Sequence, residues 1–388
     1  MEQIVLVGST GSIGRQTLEV VRAESNEYSI LGLAALGNNF DLFIKQIKEF
    51  KPKYVSLADK TKATVLQEAL TDLHLDGVEV VDTFDDKEFL REIKPDLALN
   101  AIVDSIGLTF SLATLQAGVT LALANKESLV AGGDLLKKAV QYEDQILPVD
   151  SEHSAIWQCL RSGAHLEVAK LCITASGGPF RGKTRADLEK VTMDDALKHP
   201  TWNMGPLITI NSSTLVNKGL EVIEAIHLFD IPLEDIEILV HPESIVHSMV
   251  QFVDGSIIAQ ASPPDMKLPI SYALAYPRRK PSIAKKATFQ NKISLNFEPL
   301  DSQTFPAVEI AKSAYRTSKL HPAVYNAANE KLVQAFIDGK ILYHQIVPSI
   351  VEVLEKFSNI KIPATITIDD VFDAEKFACM AVDKLLAQ

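Results

Sequence analysis

The stretch VLVGSTGSIGRQTLEV, residues 5–20, places three glycines between an apolar run and an amphipathic run. Gly8, Gly11 and Gly14 are spaced as G-x-x-G-x-x-G. Glycines at a strand-to-helix turn let the backbone turn tightly and approach a pyrophosphate, whose charge the helix N-terminus stabilises. The spacing departs from G-x-G-x-x-G, so a tight turn without a ligand is the alternative interpretation of this stretch taken alone.

After this turn, short apolar runs alternate with amphipathic runs as far as about residue 150. The apolar runs include SILGLAAL, KYVSLA, DLALNAIV and GVTLALA, and helical patterns such as FDLFIKQIKEF separate them. Near-continuous apolar strands alternating with helices are typical of a parallel sheet covered on both faces. We therefore predict an N-terminal Rossmann-like, doubly wound parallel sheet over residues 1–149, and this context favours a dinucleotide at the glycine turn.

The rest of the chain is predicted to form two further domains joined by a linker. In residues 150–275 the runs SMVQFV and SIIAQ flank Asp254 and Gly255, a hairpin signal that predicts an α+β domain with a mixed or antiparallel sheet. Residues 276–304 are rich in proline and basic residues and predict a linker. Residues 305–388 contain helical patterns such as AVYNAANEKLVQAFIDG, which predict a C-terminal helical bundle.

The bulk composition excludes several classes of partner. The net charge of −12 in 388 residues disfavours general attraction to nucleic acid or to an anionic membrane. The three cysteines lie far apart without metal-ligand spacing, which indicates a reducing compartment. The chain opens directly on a strand pattern and has no apolar run long enough to cross a bilayer, so we expect a cytoplasmic protein.

Two carboxylates lie close together in LPVDSEHSAIW, residues 147–157. We expect Asp150 and Glu152 on an extended strand end, where residues two apart point to the same side. Two like charges this close repel each other unless a cation lies between them or one carboxylate takes up a proton. Because Mg²⁺ and Mn²⁺ prefer oxygen ligands, the pair predicts a site for a divalent ion.

The segment NSSTLVNKGLEVIEAIHLF, residues 211–229, suggests a third carboxylate ligand. Helical spacing places Asn217, Lys218 and Glu221 on one face, together with Glu224. The alternative interpretation is a surface ion pair between Lys218 and Glu221.

An anion site is suggested by TASGGPFRG, residues 174–182, which ends an apolar run and opens a turn that contains Ser176. Together with the serines and the Asn-Lys pair of the preceding segment, this turn supplies hydroxyls, backbone amides and a single cation. Ser212 and Ser213 are also expected to cap the following helix. A turn whose polar groups are satisfied internally is the alternative.

The segment LGNNF follows the second apolar run, where a dinucleotide fold usually places the residue that reads the adenosine ribose. An acidic residue there would argue for NAD, and none is present. Gly37, Asn38 and Asn39 leave room for a 2′-phosphate but provide no cation for it.

Two more polar segments are candidates for the site. In LALANKESLV, Asn125, Lys126 and Glu127 follow a strand, at the edge where open parallel sheets bind ligands, although a solvated turn is equally consistent. In KHPTWNMGP, Trp202 lies in an irregular stretch and either plugs the core or belongs to a lid, with the plug slightly favoured. His247 is expected at the start of a strand.

Seven motifs in this order, GSTGSIG, ANKESLV, PVDSEH, SGGPF, HPTWNMG, NKGLEVIEA and HPESIVHSMV, resemble those of the 1-deoxy-D-xylulose 5-phosphate reductoisomerase family. The resemblance implies a homodimeric, NADPH-dependent enzyme that needs Mg²⁺, Mn²⁺ or Co²⁺. Such an enzyme rearranges 1-deoxy-D-xylulose 5-phosphate and reduces the product to 2-C-methyl-D-erythritol 4-phosphate, in the non-mevalonate isoprenoid pathway. It also implies that residues 150–275 bind metal and substrate and form the dimer.

The resemblance also assigns the site residues. It implies three metal ligands, namely Asp150, Glu152 and Glu221. It implies ten NADPH contacts, namely Thr10, Gly11, Ser12, Ile13, Gly37, Asn38, Asn39, Asn125, Glu127 and Gly205. It implies substrate contacts for the two glutamate ligands and for Ser176, Ser212, Asn217, Lys218, Ser151, Lys126 and His199. Trp202 and Met204 would form a lid over the substrate, and the catalytic set would comprise the metal ligands with Lys126, His153, His199 and His247.

Three residues depart from the family pattern. Asn38 stands where many members carry lysine, Asp104 where a small residue is usual, and Glu243 where glutamine is common. We predict no loss of function from these changes. The alternatives to a reductoisomerase are an NAD(P)-dependent sugar-phosphate or semialdehyde dehydrogenase, which would have no clear use for the three carboxylates, and a non-catalytic redox sensor, for which no basic patch is visible.

Overall fold

The computed structural model describes residues 1–198, 200–202, 205–288 and 290–387. They divide into two compact units. The first contains Met1–Ser128, Leu136–Ser154 and Asp265–Ala284. The second contains Leu129–Leu135, Ala155–Pro264 and Lys285–Gln388. Within the described ranges, every helix is either too short or too polar to cross a lipid bilayer.

The first unit is built on a seven-stranded sheet with helices between its strands. The strands are β1 (Glu2–Val7), β2 (Tyr28–Ala35), β3 (Tyr54–Leu57), β4 (Glu79–Val80), β5 (Leu97–Asn100), β6 (Thr120–Leu123) and β7 (Ile146–Pro148). The helices are α1 (Ser12–Ala23), α2 (Phe40–Phe50), α3 (Lys60–Asp72), α4 (Lys87–Ile93), α5 (Gly107–Ala117) and α6 (Lys126–Ala139), of which Leu129–Leu135 belongs to the second unit. All neighbouring strands run parallel in the order β4-β3-β2-β1-β5-β6-β7. The predicted Rossmann-like sheet is confirmed.

The glycine turn lies where the winding of this sheet reverses, between β1 and its neighbours β2 and β5. Residues 4–7 of β1 are almost wholly buried, which fixes the start of the turn in the core. Gly8 adopts a left-handed φ of 79°, and a Cβ there would lie 2.3 Å from the carbonyl oxygen of Ala101. A Cβ at Gly14 would lie 2.3 Å from the carbonyl oxygen of Gly8. The turn therefore approaches the segment after β5 at Gly8, and α1 at Gly14, too closely for a side chain at either position.

We expect Gly14→Ala to destabilise the protein by about 1–3 kcal/mol, because the added methyl group would overlap the turn backbone. Gly77→Ala is the matched control, since a Cβ at that position meets no atom within 4 Å. Denaturant unfolding of both variants and the wild type measures the free energies. Equal effects of the two substitutions on the free energy of unfolding would show that the close approach of α1 to the turn does not exclude a side chain at position 14.

The second unit contains a five-stranded mixed sheet. Its first elements are α7 (Ser151–Leu160), whose residues up to Ser154 belong to the first unit, β8 (Val168–Ala175), α8 (Arg185–Leu188), α9 (Met193–Ala196), α10 (Pro206–Ser213), α11 (Val216–Phe229), β9 (Ile236–Val240), β10 (Val246–Phe252) and β11 (Ile257–Ala261). The elements that follow in the chain are α12 (Lys267–Ala275), which belongs to the first unit, and β12 (Glu298–Pro299). The strand order is β11-β10-β8-β9-β12, with only the β8–β9 pair parallel. β10 and β11 form the predicted hairpin around Asp254 and Gly255.

The chain ends in a group of helices, as the periodicity predicted. These are α13 (Ala307–Thr317), α14 (His321–Ile337), α15 (Ile346–Phe357) and α16 (Ile368–Leu386). α14 packs against α15 and α16, and α13 packs against α11. A Cβ at Gly219 of α11 would lie 2.8 Å from the Cβ of Ala311 in α13, so these two helices are in close contact. That contact holds α11 firmly inside the second unit.

Candidate functional site

A lysine from a neighbouring helix contacts the polar turn after β2, whose own residues include no cation. Asn39 caps α2, accepting a hydrogen bond from the backbone N–H of Leu42 at 3.3 Å. Gly37 has a left-handed φ of 105°, and its carbonyl oxygen accepts a hydrogen bond from Nζ of Lys62 at 2.9 Å. Inspection of the segment 36–40 alone could not find this lysine, because it comes from α3.

The segment that begins α6 is held in place by hydrogen bonds. Asn125 is buried and caps the helix, accepting a hydrogen bond from the backbone N–H of Ser128 at 3.1 Å. Its amide nitrogen donates to the carbonyl oxygens of Ile102 (3.0 Å) and Asp104 (2.9 Å), and to the carboxylate of Glu127 (2.8 Å). The alternative of a solvated turn is therefore wrong at Asn125, and the start of α6 is rigid.

Glu127 lies in a desolvating environment although its side chain is partly exposed. Burial of the carboxyl raises its pKa above the usual range, and the positive charge of Lys126 offsets part of that effect. The nearby carboxylates of Asp104 and Asp150 raise the pKa further. A charged Glu127 therefore costs stability in the folded protein.

Glu127→Gln should stabilise the protein at neutral pH and have little effect below about pH 4. Because the folded-state pKa is raised, the wild type loses stability as the pH rises through that pKa, and a neutral glutamine avoids this loss. Below the unfolded-state pKa the wild-type carboxyl is neutral in both states, so the two proteins should become equally stable. Thermal unfolding across this pH range measures the difference. A difference that does not change with pH would contradict the prediction.

Asp150 and Glu152 lie at the start of a helix, so the prediction of an extended strand end was wrong. β7 ends at Pro148 and α7 begins at Ser151. The reason is capping, since Oδ1 of Asp150 accepts a hydrogen bond from the backbone N–H of Glu152 at 3.0 Å. The hydroxyl of Ser151 donates a hydrogen bond to the carboxylate of Glu152.

Two nitrogen groups of the first unit fix the carboxylate of Asp150. Nζ of Lys126 lies 3.1 Å from Oδ2, and Nδ1 of His153 lies 3.1 Å from Oδ1. His153 is fully buried and Lys126 nearly so. The carboxylate is thus oriented by groups on both of its oxygens, and Lys126 places a positive charge beside it. Such a cluster can hold a cation and can stabilise an oxyanion.

The face of α11 predicted from helical spacing is confirmed. The carboxylate of Glu221 accepts hydrogen bonds from the amide of Asn217 and from the ammonium group of Lys218. Glu221 and Glu224 are each 1% exposed, and Lys218 is buried with them. The alternative of a surface ion pair is therefore wrong. This face buries two carboxylates and one ammonium group, a composition that favours a bound cation.

The turn after β8 packs against the end of α10. Oγ of Ser176 accepts a hydrogen bond from the backbone N–H of Gly178 at 3.2 Å. A Cβ at Gly178, which has a φ of 64°, would lie 3.1 Å from the carbonyl oxygen of Ser212. The structure thus brings the Ser176 turn and Ser212 together, as an anion site built from both would require.

Ser212 and Ser213 do not cap α11, and that prediction was wrong. They are the last two residues of α10, and Leu215 occupies the N-cap of α11 with a left-handed φ of 60°. α10 ends at Ser213 and α11 already begins at Val216. Because the two helices follow each other so closely, both serines belong to the last turn of α10.

Among the remaining candidates, His247 lies on β10, and Trp202 and Gly205 lie in the segment that leads into α10. The rings of Trp202 and His247 are 6.2 Å apart, and Nε2 of His247 lies 3.1 Å from the carbonyl oxygen of Ser262. His247 is the second residue of β10, as predicted. Gly205 is the N-cap of α10. His199 and Met204 lie outside the described residues.

Thr10 lies in the glycine turn, and Ser12 and Ile13 open α1, whose N-cap is Gly11 without a side-chain cap. Backbone N–H groups at an uncapped helix start suit an anion. Asp104, the unusual residue of the β5–α5 loop, adopts a φ of 71°, a conformation that aspartate tolerates better than most residues.

A parallel sheet with a glycine turn at its winding reversal defines the first unit as a dinucleotide-binding α/β fold. The chain belongs to the 1-deoxy-D-xylulose 5-phosphate reductoisomerase family. The family model of that description matches residues 4–133, and two models for the C-terminal domains match residues 146–229 and 261–380. The reductoisomerase of Bifidobacterium longum subsp. infantis is 52% identical over 353 residues, covering 91% of this chain and 89% of the relative.

Solved reductoisomerase structures share the fold over the whole chain. The enzyme from Zymomonas mobilis in complex with NADPH is 38% identical, with a TM-score of 0.88 and 99% of each chain covered. A DOX-P reductoisomerase in complex with NADPH, fosmidomycin and magnesium is 33% identical, with a TM-score of 0.91, covering 100% of this chain and 98% of the other.

Proposed function

We propose that this protein converts 1-deoxy-D-xylulose 5-phosphate to 2-C-methyl-D-erythritol 4-phosphate, using NADPH and a divalent metal ion. One observation carries the proposal: this member of the family has both a glycine turn suited to a dinucleotide and two buried carboxylates on α11. A simple dehydrogenase needs the first feature and has no use for the second. No observation favours the dehydrogenase or the redox sensor.

The proposed metal ligands are Asp150, Glu152 and Glu221. The donor set is made of oxygen atoms only, which suits Mg²⁺, Mn²⁺ or Co²⁺. A bound divalent ion supplies Lewis acidity that polarises the substrate carbonyl. Lys126 and His153 orient Asp150, and Asn217 orients Glu221, so the protein holds these oxygens ready before any ion binds.

The proposed nucleotide site follows the carboxyl ends of β1, β2 and β6. Bound NADPH supplies the hydride for the second half of the reaction. Its pyrophosphate would lie against the N-terminus of α1, where the glycine turn leaves room for no side chain. The residues assigned to it are Thr10, Gly11, Ser12, Ile13, Gly37, Asn38, Asn39, Asn125, Glu127 and Gly205.

The proposed phosphate site lies in the second unit. Its residues are Ser176, Ser212, Asn217 and Lys218. Hydroxyls, one amide and one ammonium group suit a phosphate, and the packing of the Ser176 turn on α10 supports this assignment. Around the carbon chain we propose Ser151, Lys126 and His199, with His153 and His247 along the pocket. Trp202 and Met204 would cover the bound substrate.

Glu221→Gln should lower metal-dependent turnover by roughly 10²–10³-fold, because it removes a charged ligand while keeping the shape of the side chain. The assay follows the loss of reduced-nicotinamide absorbance with 1-deoxy-D-xylulose 5-phosphate, at increasing magnesium concentration and with excess chelator. Glu237→Gln is the control, since Glu237 is an exposed residue of β9 paired with Lys170. Turnover that survives chelation in the wild type would contradict the metal proposal.

We further propose a homodimer formed through the edge of the five-stranded sheet. β11 is the outermost strand, and a long exposed edge with apolar side chains is a site for pairing with another chain. Ile257 is 55% exposed, and Ile258, Val253 and Leu166 of the same unit are exposed as well. This supports the predicted role of residues 150–275 in dimerisation.

The double substitution Ile257→Lys and Ile258→Lys should convert the dimer to a monomer, because the charges would repel across a two-fold edge. Multi-angle light scattering after size exclusion measures the mass, and circular dichroism checks that the fold is retained. Val65→Lys, at an exposed position of α3 in the other unit, is the control and should leave the mass unchanged. A wild type that is already monomeric would overturn the proposal.

The remaining proposals concern the domains and the compartment. We propose a nucleotide-binding domain at 1–149, a catalytic domain at 150–275, a linker at 276–304 and a helical domain at 305–388. The cytoplasmic localisation stays a prediction from the sequence, as does the use of manganese or cobalt in place of magnesium.

A further inference from the structure

We propose that Lys62 supplies the cation that recognises the 2′-phosphate of NADPH, and so sets the preference for NADPH over NADH. The inference rests on the proposed function, since it concerns the nucleotide of that reaction. Its starting observation is the hydrogen bond of 2.9 Å from Nζ of Lys62 to the carbonyl oxygen of Gly37. The segment Gly37–Asn39 contains no cation of its own.

The register of β2 and β3 explains why a residue of α3 reaches this turn. Ala35 pairs with Leu57 at the carboxyl ends of the two strands. The ladder continues past both strands, since the backbone N–H of Asp59 donates to the carbonyl oxygen of Leu36 at 3.2 Å. The first turn of α3 therefore lies beside the turn after β2, where a dinucleotide fold reads the adenosine ribose.

Gly37 and the stem of Lys62 fit against each other. A Cβ at Gly37 would lie 3.3 Å from Cδ of Lys62 and 3.3 Å from Cβ of Asp59. A side chain at position 37 would thus require the lysine stem to shift by a few tenths of an ångström, in addition to the strain of a φ of 105°. The absence of a side chain at Gly37 allows the ammonium group to stay at the turn.

The ammonium group is positioned but still accessible. The side chain of Lys62 is 39% exposed. An ammonium group has three N–H donors, and the bond to Gly37 uses one of them. The neighbouring Lys60 is directed elsewhere, since it pairs with Asp82. Lys62 is therefore the lysine of this helix start that is placed to meet a phosphate at the turn.

Asp59 is the group that competes for Lys62. Its carboxylate lies 3.7 Å from Nζ of Lys62. It already caps α3, accepting hydrogen bonds from the hydroxyl (2.6 Å) and the backbone N–H (3.0 Å) of Thr61, and the hydroxyl lowers its pKa. A phosphate with close to two negative charges should outcompete this single, long ion pair. The opposite outcome, in which Asp59 binds the ribose hydroxyl and favours NADH, is a result that the experiment can give.

The test measures dissociation constants of NADPH and NADH by nicotinamide fluorescence, with the full-length protein and its Lys62→Met, Lys62→Arg and Lys60→Met variants. We expect Lys62→Met to weaken NADPH binding about tenfold or more and to leave NADH binding within about twofold. Lys62→Arg should keep most of the preference, and its NADPH affinity should still fall with added salt. Lys60→Met removes the same charge two residues away and should bind both nucleotides like the wild type.

A second arm uses 2′,5′-ADP as competitor, which carries the 2′-phosphate without nicotinamide. Its affinity should fall with Lys62→Met and be restored in part by adding Asn38→Lys, because that position is exposed on the same turn. Unchanged NADPH and 2′,5′-ADP binding in a folded Lys62→Met variant would overturn the inference. A loss of NADH binding with Asp59→Asn, which keeps the helix cap, would assign the ribose to Asp59 instead.

The outcomes separate this inference from the proposed function. If the wild type binds neither nucleotide, both the proposed function and this inference are contradicted. A wild type that binds NADPH and turns over substrate, while Lys62→Met keeps its NADPH affinity, would leave the enzyme in place and remove only the role of Lys62. Thermal unfolding of each variant shows whether a loss of binding reflects a loss of fold.

Discussion

Buried negative charge on α11 is the constraint around which the second unit is organised. Glu221 and Glu224 lie inside the protein, where an unpaired carboxylate is costly, and the helix buries one ammonium group beside them. The helix cannot turn these groups toward solvent, because Gly219 holds it in close contact with α13. The proposed divalent cation would stabilise charges that the fold has already desolvated. The packing of α11 and the proposed metal affinity would then both depend on this burial.

The first unit prepares its carboxylates by a different route. Asp150 is partly buried at a helix start, and the backbone N–H of Glu152 with the side chains of Lys126 and His153 determine its orientation. Preorganised groups of this kind need no rearrangement when charge develops in a reaction. Lys126 is also the first residue of α6, and its neighbour Asn125 binds the loop after β5 through two carbonyl oxygens. The same helix start thus contacts both the residues proposed for the nucleotide and the proposed metal ligand Asp150.

Features that depend on local periodicity could be predicted from the sequence. The parallel sheet, the hairpin at Asp254 and Gly255 and the shared face of α11 all follow from spacing within short segments. Features decided by neighbouring elements could not. Asp150 was expected on a strand, yet its capping of α7 converts the next residues to helix. Ser213 was expected as a cap, yet α10 extends through it, and the left-handed Leu215 makes the turn.

The proposed role of Lys62 would let a turn without a cation of its own recognise a phosphate. Recognition of a phosphate requires a cation at a point in space, and several segments of a parallel sheet end near the same edge. Because β2 and β3 end in register, Lys62 on the first turn of α3 reaches the turn that contains Gly37 and Asn38. Gly37 is then constrained twice, by its own backbone angle and by the lysine stem that packs on it. A side chain at position 37 would therefore be expected to disturb nucleotide selectivity as well as the turn, even though it would remove no charged group.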